Sequence, residues 1–336
     1  MRFMRILVTG GMGFIGSNFI RRYLDRHEDA QVVNVDALKY GSNTENMREV
    51  ENDGRYSFVQ GNISDRSLVS RLVRDVDVVV NFAAETHVDR SISDPASFFE
   101  SNVKGVFTVL EALRKNNSDA KLVQISTDEV YGDALEGSFT ETDPLRPSSP
   151  YSASKAASDV FVLAYARTYG LHAMITRCTN NYGPSQFPEK LVPKTIIRAL
   201  MHLLIPVYGT GKNVRDWIYV QDHCKAIEMV MDSGSPGEIY NISSGQEMTN
   251  LEVVGKILDC MGEDESAIEF VEDRPGHDLR YSLDSSKIRN ELGWRPDHGF
   301  KEGIEETVGW YIENGIWWRP LADDRVLHPT PWKLEW

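Results

Sequence analysis

With 336 residues, 41% of them apolar and 26% charged, the chain can bury a sizeable core and reads as a soluble globular protein of one large or two moderate domains. Its 50 acidic and 36 basic residues give a formal charge of −14, which argues against a general nucleic-acid or anionic-membrane surface, so any bound anion must be met locally. No apolar run has the length of a membrane span, the residues before Gly10 lead into a strand rather than a leader, and Cys178, Cys224 and Cys260 lie far apart without C-x-x-C spacing, so a reducing cytoplasm is expected and neither a disulfide framework nor a zinc site is.

In chain order, β-rich runs at 5–9, 32–36, 56–60, 76–82 and 121–126 alternate with helical spacing at 14–26, 67–74, 96–114 and 151–169. Such alternation predicts right-handed β-α-β crossovers and a doubly wound parallel sheet. After about residue 180 the pattern is broken by Pro184, Pro188, Pro193, Pro206, Pro236, Pro275 and Pro296, which suggests a smaller mixed α/β domain capping the first across a shared cleft. The expected division is 1–180, with some later segments returning to it, then 181–320, then a tail at 321–336.

Gly10-Gly11-Met12-Gly13-Phe14-Ile15-Gly16 follows the first strand and opens the first helix. Glycines there permit a tight turn and bring backbone N–H groups at a helix N-terminus close to a pyrophosphate. Alone the run is weak evidence, since an ordinary tight turn also uses glycines. Asp36 changes that reading, because it ends the second strand where a carboxylate can accept from ribose hydroxyls and repel a 2′-phosphate. NAD is therefore expected over NADP, with Lys39 weakening the exclusion slightly.

Thr127-Asp128-Glu129 and Tyr151-x-x-x-Lys155 place a hydroxyl, two carboxyls, a phenol and an ammonium in one short stretch. Tyr151 and Lys155 fall on one helix face, where an ammonium can draw a phenol down from its usual pKa near 10. Either pair in isolation is more often a solvated surface pair. Together at a strand end and a helix start they form an acid/base set larger than hydride transfer needs, and the extra carboxyls suggest an elimination coupled to redox.

The glycine spacing with Tyr-x-x-x-Lys resembles the extended short-chain dehydrogenase/reductase superfamily, which implies a Rossmann-type sheet. Further segments narrow the resemblance to nucleoside-diphosphate-sugar 4,6-dehydratases. They are Ala83-Ala-Glu-Thr-His-Val-Asp-Arg-Ser91, Ile125-Ser-Thr-Asp-Glu-Val-Tyr-Gly132, Tyr151-Ser-Ala-Ser-Lys155, Arg177-Cys-Thr-Asn-Asn-Tyr-Gly-Pro184, Pro188-Glu-Lys-Leu191, Arg215-Asp-Trp217 and Arg274-Pro-Gly-His-Asp278. Related epimerases share Tyr and Lys but lack the adjacent Asp-Glu, and GDP-mannose dehydratases usually carry Ser-Glu.

The resemblance implies that Tyr151, with Thr127, removes the 4-hydroxyl proton as C4 gives hydride to NAD. Glu129 then removes the C5 proton, Asp128 protonates the departing 6-hydroxyl, and hydride returns to C6. Around NAD it places Gly10, Gly13, Phe14, Ile15, Gly16, Asp36, Leu38, Lys39, Asn62, Ile63, Phe82, Ala83, Ala84, Thr86, Ser101, Tyr151, Lys155 and Asn181. Around the nucleotide sugar it places Thr86, His87, Thr127, Asn180, Lys190, Leu191, Pro206, Tyr208, Arg215, Asn250, Arg274 and His277. No metal is required. The expected substrate is dTDP-glucose, with UDP-glucose, an epimerase or decarboxylase reaction, and a non-catalytic NAD(H) sensor as alternatives; which deoxysugar follows stays open.

This sequence departs from the family's usual residues at Asn62, Ser101, Met12 and Thr86, and its ending after Trp317-Trp318 differs from the bacterial pattern. Tryptophans 310, 317, 318, 332 and 336 are expected to pack as core, with an interface the alternative. A homodimer through the helices at 96–114 and 151–169 is implied by the resemblance, although Phe98, Val106, Val109, Val160 and Leu163 equally suit packing within one chain.

Overall fold

In the N-terminal half strands and helices alternate because short Val/Ile-rich runs are separated by amphipathic segments, each ended by a turn. The computed structural model describes residues 4–335, so Met1 to Phe3, which open the run into the first strand, and Trp336 of the aromatic tail lie outside the described residues. Its elements begin with β1 (Met4–Thr9), α1 (Phe14–Arg26), β2 (Ala30–Asp36), β3 (Tyr56–Gln60), α2 (Arg66–Leu72), β4 (Val78–Asn81), α3 (Val88–Ser93) and α4 (Pro95–Phe98). A π-helical segment, Phe99–Lys104, then leads into α5 (Gly105–Asn116), β5 (Lys121–Thr127), α6 (Pro150–Tyr169) and β6 (Ala173–Cys178).

The remaining elements are β7 (Asn180–Tyr182), α7 (Leu191–Leu200), β8 (Ile205–Tyr208), β9 (Val214–Tyr219), α8 (Val220–Ser233), β10 (Ile239–Ile242), β11 (Glu247–Thr249), α9 (Asn250–Met261), β12 (Ile268–Val271), α10 (Ser286–Glu291), α11 (Phe300–Glu313) and α12 (Gly315–Trp318).

Seven of the described strands form one parallel sheet in the order β10-β6-β5-β4-β1-β2-β3. Both faces are covered, which explains the near-continuous apolar strands. On one face Phe19, Ile20 and Leu24 of α1 and Ile227 and Val230 of α8 pack on Ile6, Val8 and Val80. On the other, Val69 of α2, Val109 and Leu110 of α5 and Val162 of α6 cover Leu7, Val79 and Leu122. The doubly wound sheet read from the sequence is present. A three-stranded sheet β11-β9-β7 and a two-stranded pair β12-β8 stand apart from it, packed with α7, α9 and α11 around Val192, Ile196, Trp217, Ile257 and Ile304.

One predicted helix differs from expectation. Helical spacing at 96–114 reads as a single helix, but the π segment interrupts it. One extra residue in that turn carries Asn102 inward, where its amide accepts from Glu85 N at 2.8 Å and donates to Ser154 Oγ at 2.8 Å. The predicted strand at 76–82 is also shortened to its four fully buried residues.

α6 matters most for position. Ser149 and Ser152 close a capping box at its start, Pro150 sits in the first turn, and Gly170 ends it at φ 70. Inside the protein Arg177 Nε pairs with Asp159 Oδ2 at 2.9 Å and its Nη1 donates to Tyr131 Oη at 2.6 Å. Ser126 adds a bond to the same carboxylate at 3.0 Å. This network pins α6 to β5 and β6, and stripping one charge from such a buried pair costs about 3–5 kcal/mol.

Candidate active site

β5 ends beside β4, next to the point where strand order reverses between β4-β1 and β1-β2. An open α/β sheet leaves a crevice outside the carboxyl ends of its strands there. Thr127, extended, caps a short 3₁₀ turn, Asp128–Val130, and its hydroxyl oxygen accepts from Glu129 N at 3.3 Å. Thr127, Asp128 and Glu129 line one cavity with Tyr151 and Lys155 from the first turns of α6. The five candidate catalytic residues are thus brought together.

The two carboxyls sit in different fields. Burial, then the charge of Glu129, pushes Asp128 up to about 8, against the Thr127 hydroxyl and the Arg215 guanidinium. Asp128 Oδ2 is buried without a hydrogen-bond partner. Glu129 is also raised by burial, but Arg274, Arg215 and Lys190 oppose the shift. Asp128 is thus drawn toward its protonated form, while three cations oppose the burial-driven rise of Glu129. Unequal surroundings of this kind are what let neighbouring carboxyls divide acid and base work.

The sequence reading of Lys155 needs correction. It predicts that the ammonium draws the Tyr151 phenol down, but Lys155 Nζ donates to the Ile125 carbonyl at 2.5 Å. Burial lowers Lys155 itself, with Asp159 opposing, while burial and then the Glu129 charge raise Tyr151 well above its ordinary value. The ammonium is engaged by a carbonyl and balanced by Asp159, whereas the carboxyls bear on the phenol. Tyr151 in this arrangement is a neutral phenol with a hydrogen bond to Thr127. Cys178 lines the same cavity, and burial pushes its thiol up to about 12, so it is no nucleophile near neutral pH.

The same cavity runs back along the sheet edge to the glycine turn. Gly10, Gly13, Phe14, Ile15, Gly16, Asp36, Lys39, Asn62, Ile63, Phe82, Ala83, Ala84, Thr86, Ser101 and Asn181 line it. Leu38 does not: at φ 52 it turns away, and its N–H donates to Asp36 Oδ1 at 2.8 Å. The close packing of this turn requires glycine. A Cβ on Gly10, at φ +71, would stand 2.6 Å from Ala83 N, and one on Gly16 would stand 2.6 Å from Gly10 O. Asp36 is buried at the end of β2, its carboxylate already accepting from Met12 N at 3.0 Å.

Of the residues implied to hold substrate, Thr86, Thr127, Asn180 and Lys190 line this cavity, and Lys190 Nζ donates to Thr86 O at 3.1 Å. His87, Leu191, Pro206, Tyr208, Arg215, Asn250, Arg274 and His277 lie outside its lining. Arg274 and Arg215 nevertheless act on Glu129. Arg274 Nη1 donates to Asp89 Oδ1 at 3.0 Å, and Tyr208 Oη donates to Asp89 Oδ2 at 3.3 Å. Arg215 Nη2 donates to Asp278 O at 2.9 Å, with its guanidinium 4.0 Å over the Tyr281 ring. His87, which caps α3, is held neutral by burial and by Lys190, Lys194, Arg274 and Arg90, with Glu189 Oε2 3.4 Å from its Nδ1. His277 rests 2.6 Å from Asp273 and is lowered to about 4 by burial. Leu191, partly buried at the start of α7, packs against the core, and Asn250 N donates to Asn213 O at 3.0 Å.

Several lining residues escape the sequence reading: Tyr40, Ser42, Glu85, Gln186, Phe187 and Glu189. Tyr40 and Phe187 bring the two walls together with rings 5.0 Å apart, and Arg90 stacks 4.0 Å over Tyr40. Glu85, Glu189 and Asp89 do stand inside recognised motifs, which was the available signal. Among the described residues no group of three or more His, Cys, Asp or Glu could hold a metal ion, and no helix is long and apolar enough to cross a membrane.

A glycine turn at the sheet's reversal point, an acidic β2 terminus and a Tyr/Lys helix opposite them define a dinucleotide-dependent enzyme of the extended short-chain dehydrogenase/reductase class. The family model described as GDP-mannose 4,6 dehydratase matches residues 7–307, and the chain belongs to that family. It is 51% identical over 309 residues to the low-salt glycan biosynthesis protein Agl12 of Haloferax volcanii, covering 92% of this chain and 99% of that protein. It is 48% identical over 332 residues to dTDP-glucose 4,6-dehydratase of Streptomyces niveus, covering 98% of each. Among solved structures it is similar to DesIV, the dTDP-glucose 4,6-dehydratase from Streptomyces venezuelae with NAD and TYD bound. The TM-score is 0.92 at 50% identity, over 95% of this chain and 100% of that one.

Proposed function

We propose that the chain is a hydro-lyase that converts dTDP-glucose into dTDP-4-keto-6-deoxy-glucose and water with NAD as a regenerated cofactor. The observation that carries this reading is the buried pair Asp128 and Glu129, set in different electrostatic surroundings beside Tyr151 in one cavity. Proteins with the same names among its relatives support it.

In this reading Gly10, Gly13 and Gly16 admit the pyrophosphate and Asp36 meets the ribose. Bound there, NAD would supply a hydride acceptor for C4 of the sugar and the hydride donor for C6. Tyr151 takes the 4-hydroxyl proton, with Thr127 sharing its hydrogen bond. Because the phenol is otherwise held neutral, its deprotonation requires positive charge nearby, which Lys155, one turn away, supplies in this reading once its ammonium leaves the Ile125 carbonyl. The resulting 4-keto group acidifies C5–H, and Glu129 takes that proton. Asp128 gives its proton to the 6-hydroxyl, which leaves as water, and Glu129 can return a proton to C5 once C6 is reduced.

The nucleotide is assigned to Lys190, Asn180, Tyr208, Arg215, Asn250, Arg274 and His277. Arg274 suits the diphosphate because its Nε is buried and unpartnered while Nη1 is anchored on Asp89. Residues 4–180 with 220–242 and 286–294 form the cofactor half in this reading, and 181–219 with 243–285 and 295–320 the nucleotide half. We also propose a homodimer. Phe98, Val106 and Val109 are buried within the chain, whereas Phe99, Val160 and Phe161 are exposed on the two helices; a concentration-independent monomer in sedimentation contradicts it. All three cysteines are unpaired, as a reducing cytoplasm requires.

Incubation with dTDP-glucose tests the reaction. A 4-keto-6-deoxy product supports it, a C4 epimer favours an epimerase, and NAD binding without turnover favours a sensor. Parallel turnover of UDP-glucose decides the nucleoside, which differs by the thymine methyl, worth about 1–3 kcal/mol in an apolar pocket, and by the ribose 2′-hydroxyl.

A further inference from the structure

The segment after α12 returns across the molecule and closes on the nucleotide half, although it lies beyond the family match at 7–307. Val326 and Leu327 are buried, and Leu327 joins the core beside Val192 and Ile196 of α7. The carbonyls of Leu327 and His328 accept from Arg198 Nη1 at 2.6 Å and Lys194 Nζ at 3.1 Å. The tail is thereby strapped to α7, whose first turn follows Lys190.

A short 3₁₀ turn, Pro331–Lys333, then packs against α3. Trp332 is buried there, with its ring edge-on to Tyr208, centroids 4.8 Å apart and planes at 78°. Tyr208 in turn bonds Asp89, and Asp89 holds Arg274. A continuous line of contacts thus runs from Trp332 through Tyr208 and Asp89 to the buried guanidinium whose Nε has no partner. The exposed pair Lys333–Glu272 closes the turn from outside and contributes little.

We infer that Trp332 is a positioning residue for the nucleotide end of the substrate. It fixes the Tyr208 ring, and with it the Asp89–Arg274 pair, so that the tail sets affinity for the nucleoside diphosphate without touching the reacting sugar carbons. This rests on the proposed assignment of Tyr208 and Arg274 to the nucleotide. Aromatic edge contacts are directional, so apolar bulk alone cannot replace the ring.

The test compares wild type, Trp332→Ala, Trp332→Leu, Trp332→Phe and the external control Lys333→Ala. The readouts are NAD content, kcat and KM for dTDP-glucose, and calorimetric binding of dTDP. Trp332→Ala is expected to raise KM and the dTDP dissociation constant about ten-fold, the scale of a lost aromatic pair, with kcat and NAD content unchanged. Trp332→Leu keeps apolar volume, guards against loss of folding, and is expected to show the same split; Trp332→Phe and Lys333→Ala should match wild type. If dTDP binds wild type and Trp332→Leu equally, the inference is overturned. If wild type binds no dTDP, the nucleotide-sugar reading itself falls.

Discussion

Thr127 Oγ1 lies 3.1 Å from Asp128 Oδ1, which leaves Asp128 Oδ2 buried with no hydrogen-bond partner. One oxygen of the carboxyl is oriented and the other is available to a substrate hydroxyl. Asp128→Asn keeps the shape and the Thr127 contact but cannot donate an acidic proton. It is expected to lower turnover by about 10²–10⁴ while C4 oxidation persists, so that reduced cofactor accumulates and is visible by absorbance. Turnover within a few-fold of wild type excludes Asp128 as the acid.

The same carboxyl predicts a pH dependence. Burial and then Glu129 raise it from 3.8 to about 8, so the folded protein binds this proton more tightly than the unfolded chain. Its contribution to stability is complete below the unfolded value and is lost as pH rises through about 8. Turnover should therefore fall on an alkaline limb near that pH, with the apparent value belonging to the coupled pair. Wild type should also lose Tm relative to Asp128→Asn as pH climbs from about 5 to 9. Parallel melting curves across that range contradict the assignment.

Glu129 carries the complementary role: burial raises it, and Arg274, Arg215 and Lys190 oppose that rise. Glu129→Gln should abolish solvent deuterium incorporation at C5 and cut kcat by about 10²–10⁴, with NAD still bound. Undiminished exchange at C5 refutes it as base.

The cofactor wall is tested at Gly10. Alanine there meets Ala83 N at 2.6 Å and must hold a φ of +71 that side chains disfavour. Gly10→Ala should be purified nearly free of NAD, measured by absorbance after denaturation. Retention of full cofactor means that the turn does not hold it.

Much of this was legible because the informative residues are close in sequence. The glycine turn, Asp36, Thr127-Asp128-Glu129 and the Tyr151/Lys155 helix face each follow from local spacing, and the sheet from alternation of apolar runs. What stayed hidden depends on segments far apart in the chain. Tyr40 meets Phe187, Asp89 joins Tyr208 to Arg274, and Trp332 reaches Tyr208 only after the chain folds. Lys155 is partly of this kind. Helical spacing set it beside Tyr151, but the Ile125 carbonyl that accepts from it lies on β5, while Asp159, one turn further along α6, was within local reach. The π segment was invisible because its apolar spacing resembles that of an ordinary helix.

The central claim is that one site oxidises C4, eliminates water across C5 and C6, and returns the same hydride to C6. Its most direct test uses dTDP-glucose carrying deuterium at C4, with the product followed by NMR. The expected product is a 4-keto-6-deoxy sugar with the deuterium on C6; deuterium retained at C4, or product without label at C6, would contradict this mechanism.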